Sequence, residues 1–589
     1  MERAPARAAK ASSNRRLYVW YGFLLLVIVI IILRLFYLQI IRHDYYRQQA
    51  LNDQLKQYSI AAERGIIEAH QGSSVVPLVL NQKLYTLYAD PTLVKNASDA
   101  ASKIAAITHG NTDAYTQLMK TKNTRYVILG KRLSETENNR ITALKLPGVG
   151  LQAQDYRVYP QGDLASQLLG FVNDAGQGTY GIEQFFNKQL EGTPGQLKAI
   201  TDVNGVPLAA SRDNIQINPT PGDNLVLTID MAMQRQVEMI LKQAVQNVHA
   251  KSASVVLMDP NTGAIKAMAN YPTYDPSKFY DVKDVADFNN AAVADPLEVG
   301  SIMKTLTMSA GLNQGVITPD STYYDPGYVK VDGATIKNVL DIPHEPVSIK
   351  EILKYSLNTG AVHVLKQIGG GQLDQKGRDI WYDYMTNHYQ LGKLTGIEQP
   401  NEAPGVIPNP DHGYGLNLQY ANTAFGQGMT ATILQMASAV SSVLNGGTYY
   451  QPHLVDEQIS PSGAVKQNPA KVVKSDVVKP QVGKDLQSLM EYVFNQNYNV
   501  YETDRHPGYL VGGKTGTGQI AAPGGGYKVG TYNGTFLGFV GKTKPEYVVG
   551  VLVNQPDLPG YDSAGSQAAA PIFGKIADML INDFGGEPD

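Results

Sequence analysis

Apolar residues run from Leu17 to Ile41 with Arg34 as the one charged interruption. A helix over 17–41 is long enough to cross a bilayer with some tilt. Trp20 and Tyr21 near one end, and Tyr37 near the other, sit where interfacial aromatic belts fall. Arg34 is close enough to the exit for its side chain to reach the headgroups. Arg3, Arg7, Lys10, Arg15 and Arg16 precede the span against Glu2 alone. This charge bias predicts a cytoplasmic tail at 1–16 and an extracytoplasmic bulk. A cleaved signal peptide would carry a shorter apolar core followed by small residues. Arg42-His43-Asp44-Tyr45-Tyr46 follows instead, which favours a retained anchor.

Beyond the span the pattern changes character. Residues 48–57 are polar and predict a juxtamembrane helix or linker. Glu63-Arg64-Gly65-Ile66-Ile67 then opens a mixed region reaching to about 215. Short apolar runs at 75–80, 84–88 and 126–129 alternate there with helix-like stretches at 99–107 and 181–190, which predicts an α+β domain. Asn218-Pro219-Thr220-Pro221-Gly222-Asp223 is turn-rich and marks a boundary. Residues 225–229 then alternate like a strand. Residues 231–248 carry apolar side chains at 233, 237, 240, 241, 244, 245 and 248, a helical stripe. Residues 253–258 and 264–269 read as a hairpin turned by Asp259-Pro260-Asn261-Thr262-Gly263. Residues 535–540 and 547–554 are two further strands, and Pro571 is placed to start a final helix with Ile572, Phe573, Ile576 and Leu580 on one face. Strands at both ends of a helical middle predict one sheet whose first and last strands are adjacent. The expected division is a tail at 1–16, an anchor at 17–41, a first domain at 42–220 and a second at 221–585.

Composition narrows the chemistry. The 589 residues are 43% hydrophobic and 17% charged, with a net charge of −3. This suits folded cores rather than disorder, and no basic field points to nucleic acid. Cysteine is absent, which excludes disulfide scaffolds, thiol catalysis and Cys-type zinc sites. The ten histidines form no His-x-His and no His-Glu-x-x-His; His344-Glu345 is followed by Pro346. Gly524-Gly525-Gly526 lacks the lysine–hydroxyl pair of a phosphate loop and reads as a mobile loop beside a cleft. Tyr382, Tyr384 and Tyr389, and Tyr492, Tyr498 and Tyr501, are not interleaved with enough basic residues to stack nucleic acid. They read as packing or ordinary surface.

Three short motifs remain. Ser301-Ile302-Met303-Lys304 is the chain's one Ser-x-x-Lys. On a helix, positions i and i+3 share a face, so Lys304 can take the Ser301 proton if its amine is neutral. Burial and a neighbouring cation both favour that state. Gly300 lets the backbone enter the helix tightly, and the helix N-terminus sets partial positive charge beside an oxyanion. Ser356-Leu357-Asn358 follows a helical stretch at 349–355; its hydroxyl can relay a proton and its amide can hold a carbonyl. The same spacing in Ser12-Ser13-Asn14 falls in the tail and has no chemical context. Lys514-Thr515-Gly516-Thr517 follows Leu510-Val511-Gly512-Gly513 and reads as a strand edging a cleft. There Lys514 supplies a positive charge, the hydroxyls of Thr515 and Thr517 can bind a carboxylate, and Gly516 admits a substrate backbone. Each motif alone recurs by chance; the ordered trio in an exported chain does not.

The trio resembles the signature of penicillin-binding proteins and serine β-lactamases. Residues 253–270, 274–279 and 298–304 are similar to the approach to the active serine in class B penicillin-binding proteins. Ala424-Phe425-Gly426-Gln427-Gly428, followed by a helix to 444, resembles their Gly-Gln-Gly segment. Arg64-Gly65, residues 157–162, Gly170-Phe171-Val172 and Gly181-Ile182-Glu183 resemble parts of that class's pedestal. The chain departs from the family pattern at Val299, where Pro is usual, at Ile302, where Thr or Val is usual, and at Thr305, where Pro is usual. Glu68-Ala69-His70-Gln71-Gly72 replaces the usual Asp-Arg-Asn-Gly continuation.

The resemblance implies an α/β transpeptidase domain, an antiparallel sheet flanked by helices, on an α+β pedestal with one transmembrane helix. It implies a peptidoglycan D,D-transpeptidase that is penicillin-sensitive and uses no metal or organic cofactor. The catalytic set would be Ser301, Lys304, Ser356, Asn358 and Lys514, with Thr515, Gly516 and Thr517 binding substrate and the backbone N–H groups of Ser301 and Thr517 forming the oxyanion hole. Implied partners are stem peptides, β-lactams, the membrane, a separate glycan polymerase and other cell-wall synthesis proteins. A β-lactamase is disfavoured because no Glu-x-x-Leu-Asn follows Ser356, and a bifunctional synthase because no Glu-Asp-x-x-Phe precedes the domain. A D,D-carboxypeptidase and a non-catalytic β-lactam sensor or division scaffold stay open. The compact length leans towards division rather than elongation.

Overall fold

The computed structural model describes residues 14–46, 55–200, 215–339, 345–497, 508–561 and 563–585. Ser12, Ser13, His344, Tyr498, Tyr501, the tail's Arg3, Arg7 and Lys10, and residues 48–54 of the expected connector lie outside them. By contact density the chain forms two compact units, Met1–Ala62 with Thr193–Thr220, and Glu63–Gly192 with Pro221–Asp589.

In the first unit the apolar run forms a helix, Asn14–Phe36, continued by a π-helical turn, Tyr37–Ile41. The stretch Arg15–Ile41 is long and apolar enough to cross a membrane. The Arg34 and Arg42 guanidiniums lie 5.7 and 5.8 Å from the centre of the Tyr37 ring, so the charges at this end pack on an interfacial aromatic. Leu55, Lys56 and Gln57 are not part of a connecting helix or linker: they open the strand Leu55–Ile60, antiparallel to Gly195–Ile200, which pairs in turn with Ile215–Ile217. The ladder partner of Leu55 is Ile200, a pairing that no local period can announce.

In the second unit one sheet has five antiparallel strands in the order Ile265–Tyr271, Ser252–Met258, Pro545–Asn554, Tyr527–Gly541, Leu510–Ala521. The hairpin strand Ser252–Met258 thus pairs with the last strand, Pro545–Asn554, but the expected single sheet does not include the region's first strand: Asn224–Asp230 pairs in another sheet with Ile67–Gln71 and Val455–Ile459. Period-two burial assigns its faces. Val255 and Leu257 pack with Val237 and Leu241 of the helix Met231–Asn247 and with Ile572 and Phe573 near the C-terminus. Val256 and Met258 pack with Met303, Leu306 and the fully buried helix Ile433–Leu444. The C-terminal helical run does not start at Pro571. It begins with a π-helical turn, Ala564–Ala569, and continues as Ala570–Met579. Proline has no amide to donate, and a widened turn ahead of it is one way a helix passes such a residue.

A second sheet runs Val465–Gln467, Val455–Ile459, Asn224–Asp230, Ile67–Gln71, Ser74–Ala89, Val127–Leu133, with Val149–Val158 also on Ser74–Ala89. The runs at 75–80 and 84–88 are one continuous 16-residue strand. The helix-like stretch at 181–190 is two short helices, Gly181–Phe185 and Asn187–Glu191. Three segments far apart in sequence meet here. Glu183, fully buried, accepts from Arg64 Nε at 2.8 Å and from Arg157 Nε at 2.8 Å, one guanidinium on each carboxylate oxygen. Arg64 also donates to Asn187 Oδ1 and Arg157 to Asn81 Oδ1.

Candidate active site

The Ser-x-x-Lys motif enters its helix through a tight turn. Gly300 has φ +63°, and a Cβ there would lie 2.4 Å from the Thr517 carbonyl oxygen. Only glycine fits both the dihedral and the space. A 3-10 turn, Gly300–Ile302, leads into the α-helix Met303–Gln314, whose residues 303–312 are all buried. The departures from the family pattern are absorbed: Val299 and Ile302 are buried apolar residues, and the Thr305 hydroxyl donates to the Ile302 carbonyl at 2.7 Å.

Lys304, with no exposed surface, joins the motifs. Its Nζ lies 3.0 Å from Ser301 Oγ, 2.6 Å from the Ser356 carbonyl, 2.9 Å from Asn358 Oδ1 and 3.2 Å from Ser356 Oγ. The Phe425 ring, from the Gly-Gln-Gly segment, lies 6.0 Å from the same nitrogen. Ser356 holds φ +54°, uncommon for a residue with a side chain. Its position between the helices Ile349–Lys354 and Asn358–Ile368 turns its hydroxyl towards both lysines. Lys514 Nζ is 3.0 Å from Ser356 Oγ and 3.0 Å from the Thr515 carbonyl.

Lys514 lies on the edge strand Leu510–Ala521 and shares a strand face with Gly516. A Cβ on Gly516 would meet the Val299 carbonyl at 2.8 Å and Thr535 Oγ1 at 2.4 Å, so the missing side chain lets the edge strand lie against the Gly300–Ser301 turn. Thr515 and Thr517 alternate to the other face. Thr517 enters the site through its backbone, packed on Gly300, and its carbonyl accepts from Tyr561 at 3.1 Å. Ser301, Lys304, Ser356, Asn358 and Lys514 are therefore one contact chain, and Thr515, Gly516 and Thr517 form its wall. Gly524, Gly525 and Gly526 lie in the turn joining the edge strand to Tyr527–Gly541.

The Gly-Gln-Gly segment and two side chains outside the three motifs complete the site. Gly426 O accepts the Gly300 N–H at 3.1 Å. Glu298 Oε1 accepts from the Gly428 N–H at 2.8 Å and from the Tyr527 hydroxyl at 2.9 Å, while burial pushes this carboxyl above its usual range. Position beside the serine was the available signal for Glu298; none existed for Tyr527. Among the described residues no cluster of three His, Asp or Glu side chains is arranged to hold a metal ion.

A serine at a glycine turn, two buried lysines and a glycine-lined edge strand on a five-stranded antiparallel sheet define a penicillin-binding transpeptidase fold. Residues 253–578 match the penicillin binding protein transpeptidase domain and residues 59–227 the penicillin-binding protein dimerisation domain. The chain belongs to the penicillin-binding protein transpeptidase family. It is 30% identical over 502 residues to the penicillin-binding protein PbpB of Mycolicibacterium smegmatis, which covers 83% of this chain and 74% of that one. It is 27% identical over 575 residues to the peptidoglycan D,D-transpeptidase FtsI of Escherichia coli K12, covering 96% and 92%. Penicillin binding protein 3 of Mycobacterium tuberculosis, solved in complex with aztreonam, superposes with a TM-score of 0.65 at 25% identity, over 90% of this chain and 99% of that one.

Proposed function

We propose that this protein is a serine-type peptidoglycan D,D-transpeptidase, inhibited by β-lactams, that acts on the D-Ala-D-Ala end of a stem peptide. The observation that carries the reading is the unbroken chain Ser301–Lys304–Ser356–Lys514, each link between 3.0 and 3.2 Å. A neutral Lys304 amine has two N–H bonds and one lone pair. The Ser356 carbonyl and the Asn358 amide oxygen can only accept, so they take the two N–H bonds. The lone pair is left for the Ser301 O–H, which suits a general base. Ser301 Oγ attacks the penultimate D-Ala carbonyl, and its proton passes to Lys304. The N–H groups of Ser301 and Thr517 stabilise the tetrahedral oxyanion. The proton returns through Ser356 to the leaving D-Ala, whose carboxylate is held by the Lys514 cation at the edge strand, along the backbone of Thr515–Thr517. An amine of a second stem then takes the acyl group and frees Ser301.

The proposed arrangement is a cytoplasmic tail at 1–16, an anchor at 17–41, a pedestal at 42–220 and the catalytic domain at 221–585 outside. Glycan polymerisation would come from a separate membrane partner. Labelling with a fluorescent penicillin and mass spectrometry tests the nucleophile: the adduct is expected on Ser301 and absent from Ser301→Ala. An adduct elsewhere ends the reading. An amine-acceptor assay separates cross-linking from hydrolysis.

A further inference from the structure

A carboxylate that no motif announces lies behind the Ser-x-Asn segment. Asp325 and Asn338 have 0% and 6% of their surface exposed. They flank a hairpin, Tyr328–Val331 with Ala334–Lys337. Asp325 Oδ1 accepts from the Gly327 N–H at 2.9 Å and the Thr359 hydroxyl at 2.8 Å, and Asp325 Oδ2 accepts from Asn338 Nδ2 at 2.9 Å. Asn338 Oδ1 is 3.2 Å from the Thr359 N–H and 3.0 Å from its hydroxyl. Thr359 directly follows Asn358. The residue before Asn338, Lys337, offers its carbonyl to Asn358 Nδ2 at 3.0 Å, while Asn358 Oδ1 faces Lys304 at 2.9 Å.

These contacts decide which way the Asn358 amide points. If the Lys337 carbonyl moved, Asn358 could turn its NH2 towards Lys304, and a donor would replace the acceptor that the lysine needs. We propose that Asp325 and Asn338 are a positioning pair: by pinning the end of the hairpin to the first turn of the Asn358 helix, they hold the Asn358 oxygen against Lys304. The inference rests on the Ser301 reading, because it assigns the pair a role in acylation.

The network offers a test by exchange. Asp325→Asn alone sets NH2 against NH2, and Asn338→Asp alone sets carboxylate against carboxylate. The double exchange reverses one hydrogen bond and leaves the others intact. The new amide at position 325 donates to the new carboxylate at position 338, which still accepts from Thr359. The amide oxygen at position 325 still accepts from Gly327. Acylation by a chromogenic penicillin is followed by stopped flow, with the fraction of labelled protein counted separately. Each single variant is expected to lower the acylation rate at saturation, per labelled molecule, by about tenfold or more, as unmatched buried polar groups do, with little change in the non-covalent Kd. The double variant is expected within a few-fold of wild type. Singles that label a smaller fraction of protein at the wild-type rate would make the pair merely structural and overturn the proposal. A double variant as slow as the slower single would overturn it too. If a single variant does not fold, Thr359→Val removes the shared hydroxyl without adding repulsion; it should slow acylation several-fold, and an unchanged rate is equally adverse. A wild-type protein not acylated at Ser301 would defeat the function reading itself, a different outcome from either.

Discussion

Gly300→Ala tests the claim that the turn leading to Ser301 and the edge strand are fitted backbone to backbone. The alanine must adopt φ +63°, and its Cβ would lie 2.4 Å from the Thr517 carbonyl oxygen and 2.8 Å from the Thr517 nitrogen. A left-handed dihedral costs about 1–2 kcal/mol for a residue with a side chain, and an overpacked contact about 1–3 kcal/mol. The oxygen contact is roughly 1 Å inside ordinary van der Waals separation. Backbone cannot give way as a flexible side-chain end can, so Thr517 must move or the turn must open. Either displaces the two N–H groups proposed to bind the oxyanion. Misplacement on this scale costs about 10²-fold in rate. The assay is stopped-flow acylation with a chromogenic penicillin, with a thermal melt of the same preparation. The expected result is a lower melting temperature and an acylation rate at saturation down by about 10²-fold, with the non-covalent Kd changed far less. A folded variant acylating within a few-fold of wild type would refute the fitted-backbone reasoning.

Lys304→Ala should lower acylation by about 10²–10⁴-fold even at saturating penicillin, since a general base is lost; Lys514→Ala should mainly weaken binding of carboxylate-bearing substrates, and an ester lacking that carboxylate should be hurt less. Near wild-type acylation by Lys304→Ala would reverse the role assignment. Glu183→Gln leaves two buried guanidiniums without their shared anion and should cost about 3–5 kcal/mol in equilibrium urea unfolding; a loss under about 1 kcal/mol would mean the cations find other partners. Glu238, on the helix Met231–Asn247, accepts from the Ala165 N–H and Gln234 Nε2, yet burial raises it from 4.5 to about 7. Its proton is held more tightly in the folded chain, so ionisation opposes folding: the penalty is absent below about pH 4.5, grows through the interval and is complete above about pH 7. Glu238→Gln should therefore be more stable than wild type at pH 8 by up to about 3 kcal/mol, with the gain gone near pH 4.5; differential scanning calorimetry at both pH values decides it, and a gain independent of pH would sink the assignment.

Much of this molecule was legible because its signals are local. A 25-residue apolar run, a hairpin turned by Asp259-Pro260-Asn261-Thr262-Gly263 and a helical stripe from Met233 to Val248 report their own conformation through period and turn chemistry. Ser301 and Lys304 could be paired for the same reason, since helix spacing alone sets i and i+3 on one face. Tertiary structure decided the rest. Leu55 became part of a strand because Ile200 lies beside it, and Asn224–Asp230 joined Ile67–Gln71 and Val455–Ile459 in a sheet separate from the five-stranded one, touching it where Thr228 donates to the Ile265 carbonyl. The contacts of Ser356 with Lys304 and of Lys514 with Ser356 span 52 and 158 residues, and the Asp325–Asn338 pair shows no spacing that marks it. Periodicity records which face of an element is apolar, but not which distant element covers that face. Only chain closure brings a buried carboxylate, a hairpin carbonyl and an amide into register, because each hydrogen bond depends on backbone positions set by the packing of elements remote in sequence.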